Sequence, residues 1–374
     1  MREIQEILKK KSQFSPDEKA VLATVVDVQG SSYRLPGAKM LICETGETYG
    51  TVSGGCLEAD VLERAKKVLQ TNKPEIFVYD TTTNDDSIFA LNMGCRGVIR
   101  ILLEPLSTTN ELAAFWQNCF EKRGRGAIAT LISTTTEKSY LVGLIRIFIR
   151  EEQTGVLLGS NYPPELAGDC LDAINKGISQ SKSYGTADGA DEFFIDVVKP
   201  PLNFLIFGAG VDAVPLVEAA KNLGWRATVI DHRAAFAAGE RFPAADEIII
   251  TRPENLAGKL TIDKNTVAVV MTHNYEHDKN ILKFLLNSNA PYVGALGPKR
   301  RAENILREWR AAGEDFSGEQ LNKLYAPVGL DIGADTPEAI ALSIVAEIQS
   351  VSANRSGGFL RERKGSIYNR DADD

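Results

Sequence analysis

Reactive side chains are concentrated in a few short segments of this chain. Ser53-Gly54-Gly55-Cys56-Leu57-Glu58 sets a thiol beside two glycines, where a ligand can approach the backbone, just as helical periodicity begins. If the helix starts there, Cys56 lies in its first turn, and the helix dipole favours a thiolate. Such a thiolate binds a soft metal, attacks an electrophile or accepts sulfur; a small residue packed at a helix start is the plainer alternative. Met93-Gly94-Cys95-Arg96-Gly97 offers a second thiol between glycines, with Arg96 as a cation for phosphate or carboxylate, or simply a structural turn.

A different chemistry is suggested by Gly208-Ala209-Gly210-Val211-Asp212-Ala213, between an apolar run at 202–207 and a helical segment at 211–223. Glycines in that place permit a tight turn and let a pyrophosphate reach the N–H groups of a helix N-terminus. Asp231 closes the next apolar run, 21 residues beyond Gly210, and is placed to accept a ribose hydroxyl. A Rossmann-shaped unit that binds no nucleotide would show the same pattern. Further on, Thr272-His273-Asn274-Tyr275-Glu276-His277-Asp278 follows another apolar run. Residues just past strand ends line the crevice of an open α/β sheet, so His273 and His277 are candidates for ligand contact or acid/base work, with helix capping as the alternative. Lys299-Arg300-Arg301 opens a helix, where cations are electrostatically misplaced unless they meet an anion. A phosphate or an acidic partner would supply it; a solvated turn needs none.

The elements that must position these residues fall into two sets. In the first, 21–28, 39–44, 75–79 and 98–103 read as strands, 126–132 with 139–149 as a strand pair, and 154–159 as a further strand. Leu57, Val61, Leu62, Ala65, Val68 and Leu69 share one helical face, and 163–176 is also helical. Lys199-Pro200-Pro201 stiffens the chain and blocks regular pairing. Beyond it, strands at 202–207, 227–230, 247–250, 267–271 and 292–293 alternate with helices, as in a doubly wound parallel sheet. Thr336-Pro337 supplies an N-cap and a proline at N1 for the last long helix. The expected fold is therefore α/β: an N-terminal α+β domain (1–198), a C-terminal Rossmann-like doubly wound domain (199–353) and a flexible polar tail (354–374).

Bulk properties narrow the partners. A chain of 374 residues, 44% hydrophobic and 25% charged, is long enough for two cores. A net charge of −8 argues against nucleic acid or an anionic membrane as the main partner. Residues 1–13 lack the apolar core of a signal peptide and no run is long enough to span a membrane, so a cytoplasmic location is expected. Five cysteines without a Cys-x-x-Cys pair read as reduced thiols.

Taken together, these segments resemble the xanthine dehydrogenase accessory factor family (XdhC/CoxI). The resemblance rests on Gly30-Ser31-Ser32-Tyr33, Pro36-Gly37-Ala38-Lys39-Met40 and Ser53-Gly54-Gly55-Cys56-Leu57-Glu58 in the first half. In the second it rests on Gly208-Ala209-Gly210, Asp231, Thr272-His273 and Pro327-Val328-Gly329-Leu330-Asp331-Ile332-Gly333. It covers most of 18–350. One departure is Gly94-Cys95-Arg96-Gly97, where the family often shows Gly-Cys-Gly-Gly.

The resemblance implies a chaperone that binds molybdenum cofactor (molybdopterin, including a nucleotide form). Such a protein holds it while a cysteine desulfurase replaces an oxo ligand by sulfide, and delivers it to an apo molybdenum hydroxylase. On this expectation the cofactor lies between the domains. Cys56, flanked by Gly54 and Gly55 and joined by Cys95, faces the molybdenum–dithiolene end, where Cys56 is the metal-contacting thiol. Gly208, Gly210 and Asp231 hold the phosphate or appended nucleotide, and His273, Arg300 and Arg301 meet anionic groups. The chain lacks the cysteine patterns of iron–sulfur clusters and the length of a whole molybdenum hydroxylase. Two rival readings remain: an NAD(P)-dependent oxidoreductase with His273 or His277 as acid/base, and an adaptor without a small ligand. A homodimer is the expectation from the frequency of such assemblies.

Overall fold

The computed structural model describes residues 2–15, 18–80, 97–106, 111–151, 162–364 and 367. Cys95 and the strand expected at 154–159 lie outside the described residues. The chain divides into two units, Met1–Pro200 and Pro201–Asp374.

The first unit runs α1 (Arg2–Lys11), β1 (Ala20–Gly30), β2 (Lys39–Cys43), β3 (Thr48–Gly50), α2 (Glu58–Thr71), β4 (Glu75–Asp80) and β5 (Gly97–Pro105). It continues with α3 (Glu111–Glu121), β6 (Gly126–Thr134), β7 (Arg146–Arg150), α4 (Leu166–Lys176), β8 (Gln180–Thr186) and β9 (Gly189–Val198). Two antiparallel sheets result, in the orders β3-β2-β1-β5-β4 and β7-β6-β9-β8. β1 is rich in β-branched residues and buried over its first seven positions, because both of its faces are covered. On one face Val21, Ala23 and Val25 meet Val61, Ala65 and Val68, which recur at helical spacing on α2. On the other, Ala20 and Leu22 meet Ile7 of α1 and Leu112 and Trp116 of α3.

Several local features differ from the sequence reading, which has neither α3 nor β3. Glu137–Leu141 forms a short 3-10 turn, so the strand expected from 139 begins only at Arg146. The β8–β9 hairpin has no counterpart in that reading, since β8 (QSKSYGT) is a polar edge strand with a single buried residue.

The second unit runs β10 (Asn203–Phe207), α5 (Ala213–Asn222), β11 (Arg226–Asp231), β12 (Glu247–Ile250), β13 (Thr266–Val270) and α6 (Tyr275–Leu286). After these come β14 (Tyr292–Ala295), α7 (Lys299–Ala311), α8 (Gly318–Asn322), β15 (Leu324–Tyr325) and α9 (Pro337–Ser352). The six strands are parallel, in the order β12-β11-β10-β13-β14-β15. Counted within the unit this is 3-2-1-4-5-6, the order of dinucleotide-binding folds. β10 and β13 are buried along their whole length, as central parallel strands covered on both faces must be. Residues of α5 and α9 pack on one face, those of α6 and α7 on the other. Thr336 caps α9 through the N–H of Ala339, with Pro337 at the first position, as expected. The α/β class, with an α+β first unit and a doubly wound second, is the one the sequence suggests. Strand order reverses between β10 and β13, so their C-terminal ends open the ligand crevice typical of such sheets. Among the described residues, no helix is long and apolar enough to cross a membrane.

Candidate functional site

The Cys56 segment is a braced loop leading into α2. Ser53 Oγ accepts hydrogen bonds from the N–H groups of Gly55 and Leu57, both at 3.1 Å. Glu58 folds back: its carboxylate accepts from Ser53 N at 2.9 Å, from Thr51 Oγ1 at 2.6 Å and from Ser53 Oγ. Burial raises the Glu58 pKa, but the hydrogen bonds from Ser53 and Thr51 outweigh it and hold the group below the usual carboxylate range. Leu57 occupies the N-cap and α2 begins at Glu58, so Cys56 precedes the helix instead of lying in its first turn. The anion at the N-terminus of α2 is Glu58. Gly55 has φ 108°, a left-handed conformation that favours glycine, and it leads directly into Cys56. The Cys56 thiol is exposed, whereas Cys43, Cys119 and Cys170 are buried. Burial pushes Cys119 up to about 11 and Cys170 up to about 12, which keeps both as neutral thiols.

In the second unit, β10 ends in the Gly208–Gly210 turn. Gly208 has φ 118°, and a Cβ there would lie 2.5 Å from the carbonyl oxygen of Met271, so this crossing of β10 past the end of β13 admits only glycine. Gly210 is under no such demand, since a Cβ would find His273 Nε2 no nearer than 3.7 Å. The N–H of Ala209 donates to Asp231 Oδ2 at 2.8 Å, and its carbonyl accepts from Arg241 Nη1 at 2.9 Å. Among the described residues, the N–H groups of Gly210, Val211 and Asp212 donate to no protein acceptor. Three such groups at the start of a ten-residue helix attract an anion.

Around this turn lie all three histidines of the chain. His273 has φ 60°, is exposed, and places Nε2 3.5 Å from Asp212 Oδ2. His277, whose N–H is capped by the Asn274 side chain, meets His232 edge-on with ring centroids 4.7 Å apart. Those two rings line a small cavity with Asp231, Thr251 and Thr272. Asp278 is buried and ties two segments together. Its Oδ1 accepts from Thr272 Oγ1 at 2.5 Å, and Oδ2 accepts from Arg301 Nη2 at 2.5 Å. Arg301 therefore meets an anion of the protein itself, while Arg300 is exposed at the start of α7.

Comparison with known proteins matches this arrangement of segments in order. Residues 15–80 match the XdhC and CoxI family, and residues 204–348 match the XdhC Rossmann domain. The chain is 33% identical over 332 residues to a probable xanthine dehydrogenase subunit of Bacillus subtilis (strain 168), covering 88% of this chain and 92% of that protein. The chain belongs to the XdhC and CoxI family. A crystal structure of a Bacillus halodurans protein described as a xanthine dehydrogenase superimposes with a TM-score of 0.76 at 31% identity, over 96% of this chain and 98% of that one. The molybdenum cofactor insertion chaperone PaoD of Escherichia coli (strain K12) is 23% identical over 333 residues, 89% of this chain and 83% of its own.

In this member of the XdhC and CoxI family, Gly54, Gly55 and Cys56 share one loop. Gly208, Gly210, Asp231 and His273 share the C-terminal end of the parallel sheet. Arg301 is turned to Asp278. Sequence reasoning passed over Arg233, Arg241, Asp278 and the bracing role of Glu58. Arg233 and Arg241 left a readable signal, two cations within ten residues of the acid that ends β11. Asp278 gave no sign of its pairing with Arg301, because that partner is brought in by α7, 23 residues away.

Proposed function

We propose that this protein is an accessory factor that binds molybdenum cofactor and assists its sulfuration and insertion into an apo hydroxylase of the xanthine dehydrogenase type. The observation that carries the reading is the similarity to PaoD, the molybdenum cofactor insertion chaperone, along 89% of this chain. The residues present suit such a ligand. The one exposed thiol among the described residues is an incomplete set for a free ion, but it suffices as one ligand to a metal whose other ligands belong to the cofactor. We assign Cys56 to the soft, sulfur-rich end of the cofactor, which supplies the redox metal when bound. In the second unit, taken by itself, the unpaired amides of the glycine turn with Arg241 beside them suit a phosphate. Glu58 and Ser53 keep the thiol-bearing loop in place, and Gly54 and Gly55 leave it open to the ligand. A cysteine desulfurase as sulfur donor, a cytoplasmic setting and a homodimeric state complete the reading.

Equilibrium binding of anaerobic molybdenum cofactor to the purified chain tests it, with reconstitution of an apo hydroxylase as second readout. Saturable binding that weakens about tenfold or more in Cys56→Ala is expected. No binding by the wild-type chain overturns the function, and unchanged affinity and sulfuration in Cys56→Ala overturn the role of the thiol.

A further inference from the structure

Asp231 stands where dinucleotide-binding folds keep an acid for the ribose hydroxyls, at the end of the strand that follows the glycine turn. In this protein its acceptor positions are already taken. Oδ1 accepts from the N–H of Arg233 at 2.9 Å and from Arg233 Nε at 3.0 Å. Oδ2 accepts from Arg233 Nη2 at 2.8 Å and from Ala209 N at 2.8 Å. An ionised carboxylate offers about four lone-pair positions, and four N–H donors fill them. The carboxylate is 1% exposed, and the Arg233 guanidinium that covers it is 37% exposed. Phe236 supports that guanidinium from one side, its ring centroid 4.1 Å from Arg233 Cζ.

We infer that Arg233 occupies the seat a ribose diol would take at Asp231, making it the residue that excludes NAD and selects ligands held by phosphate without a diol to be read. The inference deepens the proposed function and rests on its reading of the glycine turn as a ligand site. A diol entering here must displace two charge-assisted bonds from one guanidinium, and it offers only neutral hydroxyls in return. A phosphate faces no such exchange. The Asp231–Arg233 pair is neutral as a whole, and Arg241, which makes no ion pair among the described residues, adds a cation beside the turn. The same geometry disfavours the oxidoreductase alternative for NAD, since its cofactor would compete with the protein's own side chain.

Titration calorimetry of the full chain with NAD and NADP, for wild type and Arg233→Ala, tests the inference. NADP serves as the probe without a free 2′-hydroxyl. Wild type is expected to bind NAD no tighter than about 1 mM. Arg233→Ala leaves Asp231 tethered to Ala209 and is expected to bind NAD about tenfold or more tighter, with no comparable gain for NADP. Phe236→Ala, which removes the ring beneath Arg233 and its longer 5.5 Å contact with Arg241, should show a smaller gain of the same kind and serves if Arg233→Ala fails to fold. Micromolar NAD binding by wild type, or a folded Arg233→Ala that gains nothing, overturns the inference. Neither result bears on cofactor binding through Cys56, and failed cofactor binding by wild type leaves the NAD comparison readable.

Discussion

Each unit holds an ion pair with a buried carboxylate, and the two pairs are built in opposite ways. In the first unit, Lys39 Nζ lies 2.6 Å from Asp196 Oδ2, joining β2 of one sheet to β9 of the other across 157 residues of chain. Lys39 is 2% exposed and its ammonium also donates to the carbonyl of Gly37. In the second unit, Asp231 and Arg233 are two residues apart at the end of one strand, and the guanidinium faces solvent. A charge abandoned in the first place is largely shut off from solvent, so that pair holds two sheets in register with each other. The guanidinium in the second is partly open to water, so breaking that pair costs less than breaking the first. That difference suits the first pair to folding and the second to screening ligands.

The sharpest break of this comparison is Lys39→Met, which preserves volume and strands Asp196. It should lower stability by about 3–5 kcal/mol in chemical denaturation, and Lys39→Met/Asp196→Leu should regain most of that. A single variant with an unchanged midpoint would erase the distinction between the two pairs. Next in size is the acid dependence of Asp231. Burial raises its pKa, but Arg233 and the N–H groups of Ala209 and Arg233 outweigh it and lower the group to about 2. A folded value below the unfolded one, about 3.9, means stability that is present above about pH 4 and lost as pH falls toward the folded value. The contribution is about 2 kcal/mol, and acid denaturation of Asp231→Asn should lack that slope; an identical curve would show the pair to be slack. The smallest effect is expected at the other candidate site. Glu58→Gln replaces a carboxylate that three donors address, and it should cost roughly 1 kcal/mol while raising the reaction rate of Cys56 with a thiol reagent.

Legibility of the fold followed the range of the contacts involved. Central parallel strands such as β10 and β13 are continuous apolar runs because both faces are covered, and short connections keep their order visible. The β8–β9 hairpin escaped because β8 lies at an edge and carries no alternating apolar face, leaving only Asp188-Gly189 as a turn signal. The Cys56 segment was recognisable as special through its glycines. Its place relative to α2 was not, since Glu58 turns back onto Ser53 and Thr51 and delays the helix.

The amino-acid sequence by itself determined the α/β class of the second unit, the glycine turn and the acid that follows it. Each of these depends on residues within a few positions of one another, where periodicity, φ preference and capping act directly. Only the tertiary structure decided what those residues face. Arg233 covers Asp231, Asp278 claims Arg301 from 23 residues away, and Lys39 meets Asp196 between two sheets. Electrostatic partners are chosen by distance in space and by the low dielectric around them, and chain spacing specifies neither.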